Sequence, residues 1–149
     1  EIIIILDTSN SMKGTSLSEA KKVALLVLQN LPSSWNFNLV RFGSDCEELF
    51  PAPRTNTEGN LQIAISFIQN SVASKGNTDV MQPLRSLFLL PRVDAQRNVF
   101  LISDGHINDD ELVLRCANQN STHTRVFSFG VSATCNSYLL KALSRVSGG

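Results

Sequence analysis

The chain has 149 residues, 42% of them apolar and 17% charged, and a formal charge of zero. That length suits one domain with a sizeable core, and the apolar content excludes a disordered segment. Balanced, scattered charges exclude an electrostatic binder of nucleic acid or anionic membrane, and no apolar run approaches the ~20 residues that span a bilayer.

Residues 2–6, Ile-Ile-Ile-Ile-Leu, form an apolar, β-branched run that stops at Asp7, followed by Thr8-Ser9-Asn10-Ser11. Such a run predicts a strand over 2–7 buried on both faces, as in a parallel sheet. Gly14 and Ser16 predict a turn, and Leu17, Ala20, Ala24, Val27, Leu28 and Leu31 repeat at helical spacing until Pro32. Phe37, Leu39 and Val40 to Phe42 predict a second strand, and Glu47 to Phe50 a short charged edge strand stopped by Pro51. Residues 57–72, with Leu61, Ala64, Ile65, Ile68 and Val72, predict an amphipathic helix.

Lys75-Gly76-Asn77-Thr78-Asp79 is a polar loop opening a helix from Val80 to Leu90. Asn98 to Ser103 predicts another apolar strand, and it too ends at a carboxylate, in Asp104-Gly105. A helix over Asp110 to Gln119, a strand over Val126 to Val131 and a helix over Ser137 to Val146 complete the pattern. Strands alternating with helices imply right-handed crossovers, hence a doubly wound, Rossmann-like three-layer α/β/α domain. The sheet is expected to be mostly parallel, with one short antiparallel edge strand.

The three cysteines, Cys46, Cys116 and Cys135, lack metal-site spacing and are odd in number. Idle thiols in a reducing compartment, the cytoplasm, are the expectation. The chain opens on a core strand and stops at Ser147-Gly148-Gly149 after a helix. Residues 1–149 are therefore expected to be an excised module of a larger protein, without its last strand and helix, leaving an open sheet edge beside Val126 to Val131.

In doubly wound sheets ligands gather where the strands end. Asp7, Ser9 and Ser11 alternate, so an extended chain projects all three to one side. With Thr78 and Asp104 they offer two carboxylates and three hydroxyls, hard donors that favour Mg²⁺, with Mn²⁺ as a substitute, over zinc or copper. Plainer roles compete: Ser9 or Ser11 as a helix cap, Thr78 or Asp79 as a cap for the next helix, and Asp104-Gly105 as a turn. Asp79 reads best as a first-turn acid facing the helix dipole. His106 reads as a rim histidine and His123 as a structural residue before the next strand.

An enzyme is the rival class. A haloacid-dehalogenase-like phosphatase needs a second Asp two residues after Asp7, where this chain has Ser9. No Gly-x-Ser-x-Gly elbow or phosphate-binding Gly-x-x-x-x-Gly-Lys loop occurs.

Together, Asp7-Thr8-Ser9-Asn10-Ser11, Gly76-Asn77-Thr78-Asp79 and Ile102-Ser103-Asp104-Gly105 resemble the metal-ion-dependent adhesion site of von Willebrand factor A domains. The likeness extends over essentially the whole chain. It implies direct coordination of Mg²⁺ by Ser9 and Ser11, with Thr78 direct or through water. Asp7 and Asp104 would act through waters and hydrogen bonds, and Asn10, Asn77, Asp79, Gly105 and His106 would form a rim that a partner touches. An acidic side chain of a protein partner would complete the coordination. Residues 76–79, 103–106 and 123–127 are most similar to the intracellular branch that pairs this domain with a vault-protein inter-alpha-trypsin domain. In that branch ADP-ribosyl transfer, where present, belongs to another domain, and other domains of the same chain are further partners. A scaffold that leaves its metal site unused is the alternative.

Overall fold

The computed structural model describes residues 1–73, 76–89 and 95–149. In chain order the elements are β1 (Ile2–Asp7), a 3₁₀ turn (Asn10–Met12), α1 (Thr15–Gln29), β2 (Asn36–Phe42), β3 (Cys46–Glu48), β4 (Arg54–Thr55) and α2 (Glu58–Gln69). There follow α3 (Met81–Leu89), β5 (Arg97–Ser103), α4 (Asp110–Gln119), β6 (Thr124–Gly130) and α5 (Ser137–Ser147). The predicted end of the third helix, Leu90, and Lys75 of the polar loop lie outside the described residues. Among the described residues no helix is long and apolar enough to cross a membrane.

The sheet runs β3-β2-β1-β5-β6, with β4 also pairing β2. β1 pairs β2 and β5 in parallel, and β6 pairs β5 in parallel. β3 and β4 are antiparallel to β2. The expected three-layer, mostly parallel architecture is present. β1 lies at its centre because every residue from Ile2 to Asp7 is buried. Its side chains divide by the period of two: Ile2, Ile4 and Leu6 join the core under α1 and α2, while Ile3 and Ile5 pack with residues of α3, α4 and α5.

Two expectations need correction, one at the β2 margin and one at the end of α2. The edge strand was expected at Glu47 to Phe50, but pairing covers Cys46–Glu48. Buried Asn38 explains the early stop. Its Oδ1 accepts from the Phe50 N–H at 3.1 Å and its Nδ2 donates to the Phe50 carbonyl at 2.9 Å, so a side chain replaces the ladder there. A further two-residue strand, Arg54–Thr55, pairs with Asn36 and Phe37 beyond that break. Similarly, α2 ends at Gln69, and Val72, expected on its apolar face, is 68% exposed.

β6 pairs β5 alone among the described residues, yet its outer edge is not bare. The Val126 N–H donates to Ser147 Oγ at 2.9 Å and the Ser128 N–H donates to Ser144 Oγ at 3.0 Å. Two hydroxyls one turn apart on α5 thus take the outward donors of the edge, and Ser147 Oγ itself donates to the Leu143 carbonyl at 3.0 Å. Replacing both serines by alanine strands two amides, at a cost of about 1–3 kcal/mol each where they stay dry. The double variant Ser144→Ala/Ser147→Ala should show faster hydrogen exchange at Val126 and Ser128 and a lower unfolding midpoint. Unchanged protection at both amides would refute this account of the edge.

Candidate functional site

β1 and β5 run in parallel, so Asp7 and Asp104 emerge at the same carboxyl edge of the sheet. Beyond Asp7 the chain remains extended for one further alternation. Thr8 turns toward β2, where both its N–H and its Oγ1 donate to the Phe42 carbonyl, at 2.8 and 2.9 Å. That double anchor throws Asp7 and Ser9 to the other side. Ser9 initiates the Asn10–Met12 turn, but its side chain caps nothing, and α1 begins at Thr15 after Gly14, with no side-chain cap. The capping roles considered for Ser9 and Ser11 are therefore not realised.

Instead the hydroxyls meet one another. Thr78 Oγ1 donates to Ser9 Oγ at 3.0 Å, and Ser9 Oγ lies 3.0 Å from Ser11 Oγ. Sixty-nine residues of sequence separate the first pair. The loops are tied by backbone as well, since the Asn10 N–H donates to the Gly76 carbonyl at 3.0 Å. Ser9 is fully buried and Thr78 is 5% exposed, whereas Ser11 faces solvent. The row of hydroxyls thus leads from the protein interior to the surface.

Asp7 lies behind that row. Its Oδ1 accepts from the Ser9 N–H at 2.9 Å, and its Oδ2 accepts from Ser103 Oγ at 2.6 Å. Burial pushes the Asp7 carboxyl above its ordinary value, against the lowering effect of the Ser103 and Ser9 hydrogen bonds, and the nearby Asp104 charge adds to the rise. A buried carboxylate with a second carboxylate beside it is a place where a cation relieves an electrostatic cost. Among the described residues no three His, Cys, Asp or Glu side chains come together as a metal cluster. Any cation here must accordingly rely on neutral hydroxyls and water, with two carboxylates in support.

The remaining candidates occupy the margin. Asp104 is 3% exposed, and its Oδ1 accepts from the His106 N–H at 3.1 Å, so it is both a turn residue and part of the edge. Gly105 has φ +77°, and a Cβ there would lie 2.9 Å from the Asn136 carbonyl, which explains glycine at this close approach. Asp79 Oδ1 accepts from the Met81 N–H at 3.1 Å, in keeping with a helix-start acid. Asn10, Asn77 and His106 are exposed, and His106 Nε2 donates to the Thr134 carbonyl at 3.1 Å rather than to a carboxylate. His123 is exposed immediately before β6, where its carbonyl accepts from the Arg97 N–H. All three cysteines are free and partly buried, and burial raises the thiols of Cys46 and Cys116, which makes them poor nucleophiles.

Sequence reasoning gave Ser103 no role, although its hydroxyl makes the shortest bond to Asp7 and also accepts from the Gly105 N–H at 3.0 Å. A signal existed, because a hydroxyl at the buried end of an apolar strand must find a partner. Removing it by Ser103→Ala leaves one Asp7 oxygen without its donor. About 1–3 kcal/mol of stability should be lost on denaturant unfolding, and an unchanged midpoint would contradict this account.

A doubly wound α/β sheet that converges hydroxyls and carboxylates at its carboxyl edge defines a Rossmann-like domain with a polar ligand edge. More particularly, the chain belongs to the von Willebrand factor type A domain family, whose model matches residues 1–149. The protein mono-ADP-ribosyltransferase PARP4 of Mus musculus is 40% identical over 149 residues, covering 100% of this chain and 8% of that protein. The von Willebrand factor A domain-containing protein 5B1 of Mus musculus is 35% identical over 150 residues, covering 100% of this chain and 12% of its own length. Among solved structures, the manganese-loaded TRAP protein of Plasmodium vivax matches with a TM-score of 0.76 at 21% identity, covering 95% of this chain and 61% of that one. At that identity the likeness speaks for the fold.

Proposed function

We propose that this domain is a metal-dependent protein-binding module. Ser9 and Ser11 would hold Mg²⁺ through their hydroxyls, with Thr78 joining directly or through water. Asp7 and Asp104 would act from behind through hydrogen bonds and waters. The observation that carries this reading is the run of three hydroxyls, Thr78 to Ser9 to Ser11, linked at 3.0 Å in front of the buried Asp7 carboxylate. Such a set fits a small hard cation, and Mn²⁺ fits the same donors.

Neutral ligands leave the cation much of its charge, so an acidic side chain of a partner is the natural completing ligand. Asn10, Asn77, Asp79, Gly105 and His106 would surround it as a rim. The TRAP protein of Plasmodium vivax, which shares the fold, was solved loaded with manganese, a divalent ion of the kind proposed here. Catalysis is assigned elsewhere: whatever ADP-ribosyl transfer a PARP4-like parent performs would belong to other domains of that chain, which are also partners within it. We place the domain in the cytoplasm, in keeping with its three free thiols.

Thermal melting with Mg²⁺ and with EDTA tests the metal. A midpoint that rises with Mg²⁺ concentration is expected, and no response at millimolar Mg²⁺ would defeat the proposal. Hydrolysis of generic phosphoesters by the purified domain would defeat the non-catalytic assignment.

A further inference from the structure

Thr78 reaches the hydroxyl row on a loop whose backbone is gripped on both sides by one short turn. The Asn77 N–H donates to Ser44 Oγ at 2.9 Å, and the Asp79 N–H donates to the Gly43 carbonyl at 2.9 Å. Gly43 and Ser44 follow directly on Phe42, the residue whose carbonyl holds Thr8. The segment Phe42-Gly43-Ser44 therefore anchors both arms of the site, the one carrying Ser9 and the one carrying Thr78. Gln82 Nε2 steadies the turn by donating to the Ser44 carbonyl at 3.1 Å. The fit is close: a Cβ on Gly76, which has φ +65°, would lie 2.5 Å from Ser44 Oγ. Only a glycine lets the loop approach that hydroxyl.

We infer that Ser44 is a positioning residue for the candidate metal site, its hydroxyl fixing the Asn77 peptide and thereby aiming Thr78 Oγ1 at Ser9. This rests on the reading of the hydroxyl row as a cation site. Ser44 itself is exposed and contributes nothing to either core cluster. Loss of its hydroxyl should therefore spare the fold while loosening one ligand arm. Partners that orient a metal's ligands commonly matter 10–100-fold in affinity.

The test is Mn²⁺ titration of the 149-residue chain, followed by calorimetry and by the loss of the free-ion paramagnetic signal. Ser44→Ala should weaken Mn²⁺ binding about 10-fold, while its melting midpoint in EDTA stays within about 2 °C of the unmodified chain. Ser44→Thr, which keeps the hydroxyl, should restore affinity. In a Thr78→Ala background, Ser44→Ala should add little further loss, because the residue through which it acts is gone. Unchanged affinity in Ser44→Ala overturns the inference, as does a full 10-fold loss persisting in the Thr78→Ala background. If the unmodified chain binds no Mn²⁺, the metal reading and this inference fall together, whereas wild-type binding with an indifferent Ser44 leaves the metal reading standing.

Discussion

Replacing Asp7 by asparagine should stabilise the metal-free domain and at the same time erase its response to Mg²⁺. The two halves of this prediction have opposite signs and one cause. Asp7 is fully buried, and burial raises its carboxyl above the ordinary value. The folded state therefore binds a proton there more tightly than the unfolded chain does. Above the raised value, ionised Asp7 opposes folding, since it has lost water and gained only two hydrogen bonds. Asparagine keeps the shape, can still accept from the Ser9 N–H, and offers Ser103 a donor in place of an acceptor. It carries no charge to desolvate, so the EDTA midpoint should rise.

The same charge is what a cation would answer. At Mg²⁺ concentrations 100 times the dissociation constant, the unmodified domain should gain about 2.7 kcal/mol, or roughly 5–10 °C in a domain of this size. Asp7→Asn should gain almost nothing. Asp7→Ala would lose the Mg²⁺ response as well, but it leaves the Ser9 amide and the Ser103 hydroxyl without their acceptor and should melt lower in EDTA. A control at the opposite end of the sheet, the exposed Glu58→Ala at the start of α2, should keep the full response. Differential scanning calorimetry with EDTA and Mg²⁺ arms reads all four proteins. A rise of equal size in wild type and Asp7→Asn would show that the ion binds elsewhere.

The second large effect is structural. Ile4→Ala and Ile5→Ala should each cost about 2–5 kcal/mol, because each removes a fully buried side chain and opens a cavity. The point lies in the pairing of neighbours. Ile4 packs toward α1 and α2 and Ile5 toward the opposite layer, both at 0% exposure. In a strand with one wet face only one of the two would matter. Urea unfolding should show both midpoints lowered with little change in slope. A mild effect at either residue would mean that β1 is not covered on both faces.

Much of the fold was legible in the chain because parallel strands and their covering helices leave strong local periodicities. Ile2 to Leu6 announced a doubly buried strand, and the alternation of Asp7 and Ser9 was legible too, whereas Ser11 meets Ser9 from the Asn10–Met12 turn and not from extended chain. The helices over 110–119 and from Ser137 were legible for the same reason. What escaped was decided by pairing. Asn38 reads as an ordinary polar residue of a strand until its side chain is seen to take both backbone groups of Phe50. Val72 continues a helical spacing, yet α2 ends three residues earlier, and nothing local marks the residue as exposed. Ser144 and Ser147 look like surface serines until β6 lies beside them.

The candidate site divides along the same line. Residue types and strand ends by themselves marked the candidate oxygens, two carboxylates and three hydroxyls, because the chemistry of hard oxygen ligands is a property of side chains. Tertiary structure alone decided which of those oxygens touch. Thr78 meets Ser9 across 69 residues of sequence, Ser103 meets Asp7 across 96, and Ser44 meets Asn77 across 33. Such contacts depend on strand order, register and loop approach, which no local pattern encodes. The hydroxyls that form the row could be named from the sequence; the two serines that support it, Ser103 and Ser44, became visible only once the sheet had brought its loops together.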